Sequence, residues 1–239
     1  MGKSTPKNII SITDLTLIKQ SEEIQNLKDQ HRKTCEMAVR TILQALDAKD
    51  HYTYNHSTRV AWYSLNLGRE MGFKEKELYD LEMAGLFHDV GKIGTPDSVL
   101  NKPTRLNEDE FEIMKEHPVK SAEILEGFKD FKIIAKIAKH HHERFDGRGY
   151  PDGLKGDEIP LFSRIILISD TFDAMTSSRP YRKGLSNKIA YEELDEFSGS
   201  QFDPELVKFF IKAMKKEEQK NESTFFLKIV DKNFAKKAA

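Results

Sequence analysis

From about residue 52 onward, apolar side chains recur every three or four positions, in runs separated by glycine, proline and charge. That is the period of helices that bury one face. In HSTRVAWYSLNLGREMG, His56, Val60, Tyr63 and Leu67 share a face, and Gly72 stands where such a helix commonly ends. KEKELYDLEMAGLFHDVGKIG puts Leu78, Leu81, Gly85 and His88 on one stripe before a glycine turn. Asn107 and Glu110 predict a capping box ahead of EDEFEIMKEH, and Pro118 is expected to interrupt that helix just after His117. FKIIAKIAKHHH aligns Ile134, Ile137, Ala138 and His141. RIILI by itself reads equally well as a strand. The length of LFSRIILISDTFDAMT and the spacing of Phe162, Ile166, Asp170 and Asp173 favour a helix.

The two ends follow other patterns. NIISITDLTLI, residues 8–18, alternates and is rich in β-branched residues, which predicts a strand. After it, Ile24, Leu27, Met37, Ile42, Leu43 and Leu46 among charges predict one long amphipathic helix over 21–50, with Ser21 as its N-cap and Glu23 in its first turn. A strand leading into a long charged helix reads as a connector. ITDLTLIKQSEEI resembles the last strand of a PAS sensor module running into a signalling helix, so residues 1–20 are read as the end of an upstream module. The lysine-rich segment 216–239 reads as fraying helix, a short apolar stretch and a loose end.

The 239 residues are 38% apolar and 32% charged, with a mean hydropathy of −0.60, enough for a core in a water-facing chain. No run approaches the ~18 apolar residues of a membrane span, and no signal-peptide core begins the chain. A net charge of −1 offers no global field for a DNA or RNA polymer, so an anionic ligand needs local chemistry. One cysteine, Cys35, excludes an internal disulfide and a cysteine-based metal cluster, and the cytoplasm is the expected compartment.

Histidine is the outlier. Eight are present, and His56, the His88–Asp89 pair, His117, His141 with His142, and Asp170 all end or lie on apolar helical faces. Helices in a bundle can aim such residues at one point, and imidazole with carboxylate suits zinc, iron, manganese or nickel. A lone histidine on an apolar face is more often a satisfied core residue, and HHH is more often a solvated run. An imidazole and a carboxylate buried together at a helix end, however, are costly without a cation between them. His140 is expected to point away, because neighbouring helical positions diverge by ~100°; His31 and His51 are read as bystanders.

HSTRVAWYS, LFHDVGKIGTPDSVLNKP, EHPVKSAEIL, HHERFDGRGYPDGLKGDEIP and ISDTFDAMTSSRPYR, in this order, resemble the HD-GYP family over about residues 35–215. That family is the cyclic di-GMP phosphodiesterase subgroup of the HD-domain metal phosphohydrolases. The resemblance implies an all-α, HD-type helical bundle over 51–215 with an N-terminal linker helix and a Gly-rich loop. It implies that His56, His88, Asp89 and Asp170 ligate one divalent metal. Asp89 would bridge to a second, completed by His117, His141 and His142. Iron or manganese is implied, with zinc or nickel open. Some members hold a third metal through a Glu four residues before the first histidine; that position is Tyr52 here, with Asp50 offset, so two metals are expected.

By the same resemblance, Asp89 and Lys92 serve catalysis, and Lys92, Arg179 and Arg182 hold the phosphates of cyclic di-GMP. Gly149, Tyr150 and Pro151 are the namesake loop, associated with partner contact or loop shape. The expected reaction is hydrolysis to pGpG, with a further step to GMP left open. Expected partners are an upstream sensor domain, a protein with a diguanylate-cyclase domain, and a second copy joined through the N-terminal helix. The alternatives are an HD-type phosphohydrolase acting on another nucleotide and a non-catalytic cyclic di-GMP receptor or interaction module.

Overall fold

The computed structural model describes residues 16–27, 30, 34, 37, 41, 53–178 and 183–220. The chain divides into two units, residues 1–44 and 45–239. In the first, residues 16–27 form helix α1, and residues 30, 34, 37 and 41 are helical too. The strand expected over 8–18 is corrected at its C-terminal end. Thr16, Leu17 and Ile18 are helical, which also puts Ser21 inside α1, not at its cap. Strand propensity describes a fit to a pleated neighbour, and among the described residues no sheet exists to receive one. Residues 8–15 lie outside the described set.

Among the described residues of the second unit the regular elements are helices, with one isolated bridge between Ser198 and Phe202. Its helices are α2 (Thr53–Glu70), α3 (Glu75–Phe87), α4 (Asp97–Leu100), α5 (Glu108–Met114), α6 (His117–Glu126), α7 (Lys132–Lys139), α8 (Leu161–Thr176), α9 (Asn187–Glu196) and α10 (Pro204–Gln219). The all-α class is as expected from the motifs. RIILI is helical because α8 is the central element: Ile165, Ile166 and Ile168 are fully buried. Burial on several faces erases the periodicity that marks a surface helix. Phe172 of α8 stacks on Tyr191 of α9 and meets Tyr63 of α2 and Phe210 of α10 edge-on, tying the bundle together.

The local signals hold. Gly72 ends its turn with φ +82°. The Asn107 side chain accepts from the Glu110 N–H while the Glu110 carboxylate accepts from the Asn107 N–H. Pro118 acts differently from the expectation. The break falls before His117, at Lys115–Glu116, and Pro118 sits in the first turn of α6. There its missing N–H costs nothing. At the other end α10 continues to Gln219, with Lys216 paired to Glu70 of α2; residues 221–239 are not described. Among the described residues, no helix is long and apolar enough to cross a membrane.

Candidate metal centre

Seven side chains from five parts of the chain meet in the interior. His56 comes from the first turn of α2, His88 caps the C-terminus of α3, and Asp89 precedes the tight 3-10 turn Val90–Gly94. His117 opens α6, His141 and His142 lie in the turn after α7, and Asp170 projects from α8. They fall into two sets whose ligand atoms lie within 4.8 Å of one another: His56, His88 and Asp170, and Asp89, His117, His141 and His142. Asp89 touches both. Its Oδ2 lies 3.4 Å from His88 Nε2 and 3.8 Å from His56 Nε2, and its Oδ1 lies 3.1 Å from His117 Nε2 and 3.7 Å from His141 Nε2. The His56 Nε2 is 3.2 Å from Asp170 Oδ1.

Local backbone aims these rings. The Nδ1 of His88 is 2.8 Å from the Gly85 carbonyl, that of His117 is 2.7 Å from Met114, and that of His141 is 2.7 Å from Ala138. In each case the partner is three residues back, a carbonyl freed where a helix or turn ends. A proton held on Nδ1 leaves the Nε2 lone pair facing the interior. The HD turn is pinned to α6 by Ser121, whose hydroxyl donates to the His88 carbonyl and accepts from the Gly91 N–H, each at 2.8 Å. Gly91 has no substitute here. A Cβ would lie 2.1 Å from the His117 carbonyl oxygen and 2.4 Å from the Ser121 nitrogen.

The set fits a divalent cation. His88 Nε2 and Asp89 Oδ1 are fully buried and lack a hydrogen-bond partner. Such orphaned atoms each cost ~1–3 kcal/mol unless something else engages them. Imidazole nitrogens and carboxylate oxygens converge with no sulfur among them, the chemistry of imidazole–carboxylate sites. Burial drives the His142 imidazole down to about 3, helped by the neighbouring His117, and the same effect holds His141 well below the ordinary range. Both are therefore neutral, as a ligand must be. Burial by itself would raise the Asp89 carboxyl, but the Lys92 ammonium at 2.5 Å and the His88 and His117 rings hold it well below the carboxylate range. Burial disfavours charge on His56, yet hydrogen bonds to Asp170 and Asp173 raise it to about 10, so in the metal-free chain this imidazole carries a proton that a bound cation would have to displace.

Two residues at the centre escaped sequence reasoning. Asp173 is completely buried, its Oδ2 2.7 Å from His56 Nδ1, and Arg59 grips it through Nε at 2.5 Å and a second nitrogen at 2.9 Å. Asp173 lies three residues after Asp170 and Arg59 three after His56, so helical spacing held the signal. His140 points away from both sets, as expected, but it is buried, bonded to the Lys136 carbonyl and to Asp152. Tyr150 lies at the centre's edge, stacked on His142. Arg179 and Arg182, and Tyr52, Asp50, His31 and His51, fall outside the described residues. Asp173→Asn is expected to lower metal affinity ~10–100-fold, the usual effect of losing an outer carboxylate, in a competition titration against a chelator.

The model of a family described as HD domain matches residues 40–206. The chain belongs to the HD domain family. Its motifs place it with the HD-GYP members. A cyclic di-GMP phosphodiesterase of Thermotoga maritima is 42% identical over 70% of this HD-domain chain and 46% of its own length. One from Pseudomonas aeruginosa is 38% identical over 72% of the chain and 42% of its own. A solved cyclic GMP-AMP-specific phosphodiesterase of V. cholerae superposes with a TM-score of 0.59 at 25% identity, covering 80% of this chain and 49% of that one. The chain thus spans less than half the length of those two curated relatives.

Proposed function

We propose that this chain is the catalytic part of a metal-dependent phosphodiesterase that hydrolyses cyclic di-GMP to pGpG, in the cytoplasm. His56, His88, Asp89 and Asp170 would hold one divalent ion, and Asp89, His117, His141 and His142 the other, with iron or manganese preferred. Two such ions, once bound, supply Lewis acidity to a phosphodiester and bring water towards ionisation near neutral pH. The observation that carries this reading is Asp89, whose two oxygens face the two ligand sets. The similarity to named cyclic di-GMP phosphodiesterases supports the substrate.

The protein's own groups do the rest. Lys92 Nζ, part-exposed beside Asp89, would meet a phosphate oxygen entering from solvent. Asp89 sets the spacing of the two sets, and the neutral imidazoles leave the loaded centre cationic, which the whole-chain charge of −1 does not. Arg179 and Arg182 would clamp the dinucleotide's phosphates, the planar fork of arginine suiting them. Lys92→Ala is expected to keep both metals and lower turnover ~100-fold, the scale of one lost donor at a developing charge.

The remaining expectations join this proposal. The linker helix over 21–50 would carry a signal from an upstream sensor, with a cyclase-domain protein as a further partner. Exposed Leu17, Ile18, Ile24, Leu27 and Met37 support a homodimer through that helix. A second substrate reading, cyclic GMP-AMP, is favoured by the V. cholerae relatives. Elemental analysis of anaerobically purified protein, with cleavage of cyclic di-GMP, cyclic GMP-AMP and mononucleotides on the same sample, tests the whole. Two metals per chain with preference for cyclic di-GMP is expected. Tight binding without cleavage in the fully metallated protein would overturn it in favour of a receptor.

A further inference from the structure

Among the imidazoles of the centre, His142 is held differently. The other four each have an Nδ1 hydrogen bond, to a backbone carbonyl or to Asp173. His142 has no ring-nitrogen hydrogen bond among the described residues, and its Nε2 and Nδ1 are left to whatever the site binds. Its ring packs among rings instead: His141 lies tilted with centroids 4.0 Å apart and His117 edge-on at 5.0 Å, and Tyr150, outside the ligand set, stacks on it at 4.9 Å with planes 30° from parallel.

The Gly-rich loop is built to keep that stack in place. The Tyr150 N–H donates to the His142 carbonyl at 3.3 Å, closing the loop back on the residue whose ring it covers. Gly149 lets the backbones meet. A Cβ there would lie 2.3 Å from Arg144 N, 2.5 Å from Glu143 Cα and 2.5 Å from the His142 carbonyl oxygen. Beyond Tyr150 the loop is clasped. The buried Glu143 carboxylate accepts the Asp152 N–H at 2.7 Å, and Asp152 Oδ2 lies 2.9 Å from His140 Nε2 and 2.7 Å from Lys139 Nζ. The Tyr150 ring also meets Phe111, edge-on with centroids 6.4 Å apart, and the Lys115 ammonium 6.0 Å from its centroid. The Tyr150 hydroxyl has no hydrogen bond among the described residues, and burial keeps it a neutral phenol. What the loop delivers is a flat face.

We propose that Tyr150 is a positioning residue for His142: its ring does, by stacking, what a backbone carbonyl does for His88, His117 and His141. An imidazole with no such restraint must be ordered when it binds an ion, and that ordering is subtracted from affinity. The role of Gly149 and the clasp is then to hold a planar surface at stacking distance from one ligand. This inference rests on the two-metal reading above, and concerns the ligand set of His117, His141, His142 and Asp89.

The test is metal content of the full chain, with manganese as the probe, by elemental analysis after dialysis against a graded series of chelator concentrations. The unaltered chain is expected to hold two ions, and Tyr150→Phe, which keeps the flat face, the same two with unchanged chelator resistance. Tyr150→Leu, which fills the space without a flat face, is expected to weaken one of the two ions ~10–100-fold, the range seen when an orienting neighbour is lost. Gly149→Ala should behave like Tyr150→Leu. The melting temperature of each metal-free variant, followed by circular dichroism, separates a folding defect from a ligand defect. Loss of both ions in Tyr150→Leu in step with a lower metal-free melting temperature overturns the positioning role. So does equal retention in Tyr150→Leu and Tyr150→Phe, or equal loss in both. Fewer than two ions in the unaltered chain would fail at the earlier step, sinking the dinuclear reading and this inference with it.

Discussion

Asp89→Ala is expected to abolish cleavage, by at least about a thousandfold, and to leave the purified chain short of both metals. The scale follows from the several kcal/mol that Lewis-acid ions contribute to charge stabilisation in a phosphodiester transition state. Its basis is that a single carboxylate faces both ligand sets, so its removal takes an oxygen from each. Asp89→Asn is the sharper companion. It keeps the volume but offers one carbonyl oxygen in place of two, and should retain at most one tightly held ion. Elemental analysis beside a cyclic di-GMP cleavage assay reads both variants. Two ions and full rate in Asp89→Ala would remove Asp89 from its assigned role.

Gly91→Ala is expected to cost at least about 3 kcal/mol of stability, the upper part of the range for overpacking. Its added methyl would overlap the His117 carbonyl and the Ser121 nitrogen, backbone atoms that cannot rotate aside. The only relief is to move α6 away from the HD turn. That breaks the paired Ser121 bonds to Gly91 and His88 and carries His117 away from Asp89. Thermal unfolding of the metal-free chain, followed by circular dichroism, would show the loss directly. An unchanged midpoint with full metal content would mean that the HD turn and α6 do not meet as closely as described.

The helices of the second unit were legible because their local signals agree with one another. The Asn107–Glu110 box, Gly72, and the length of the α8 run each name a boundary or a type without reference to the rest of the chain. Where a signal needed a partner, it misled. The alternation over residues 8–18 suggested a strand, and its described end is helical, since a strand exists only beside another. Pro118 was read as a stop, but proline tolerates the first turn of a helix as readily as it ends one.

Taken alone, the sequence determined, through its motifs, a helical domain of the HD family and named the histidines and aspartates that end its apolar faces, because residue type and helical spacing are local properties. The tertiary structure alone decided how those residues divide into two sets about Asp89, that Asp173 and Arg59 stand behind His56, and that Tyr150 covers His142. Those facts depend on which helix ends meet and at what distance. Packing of surfaces far apart in the chain sets that, and no spacing along the chain encodes it.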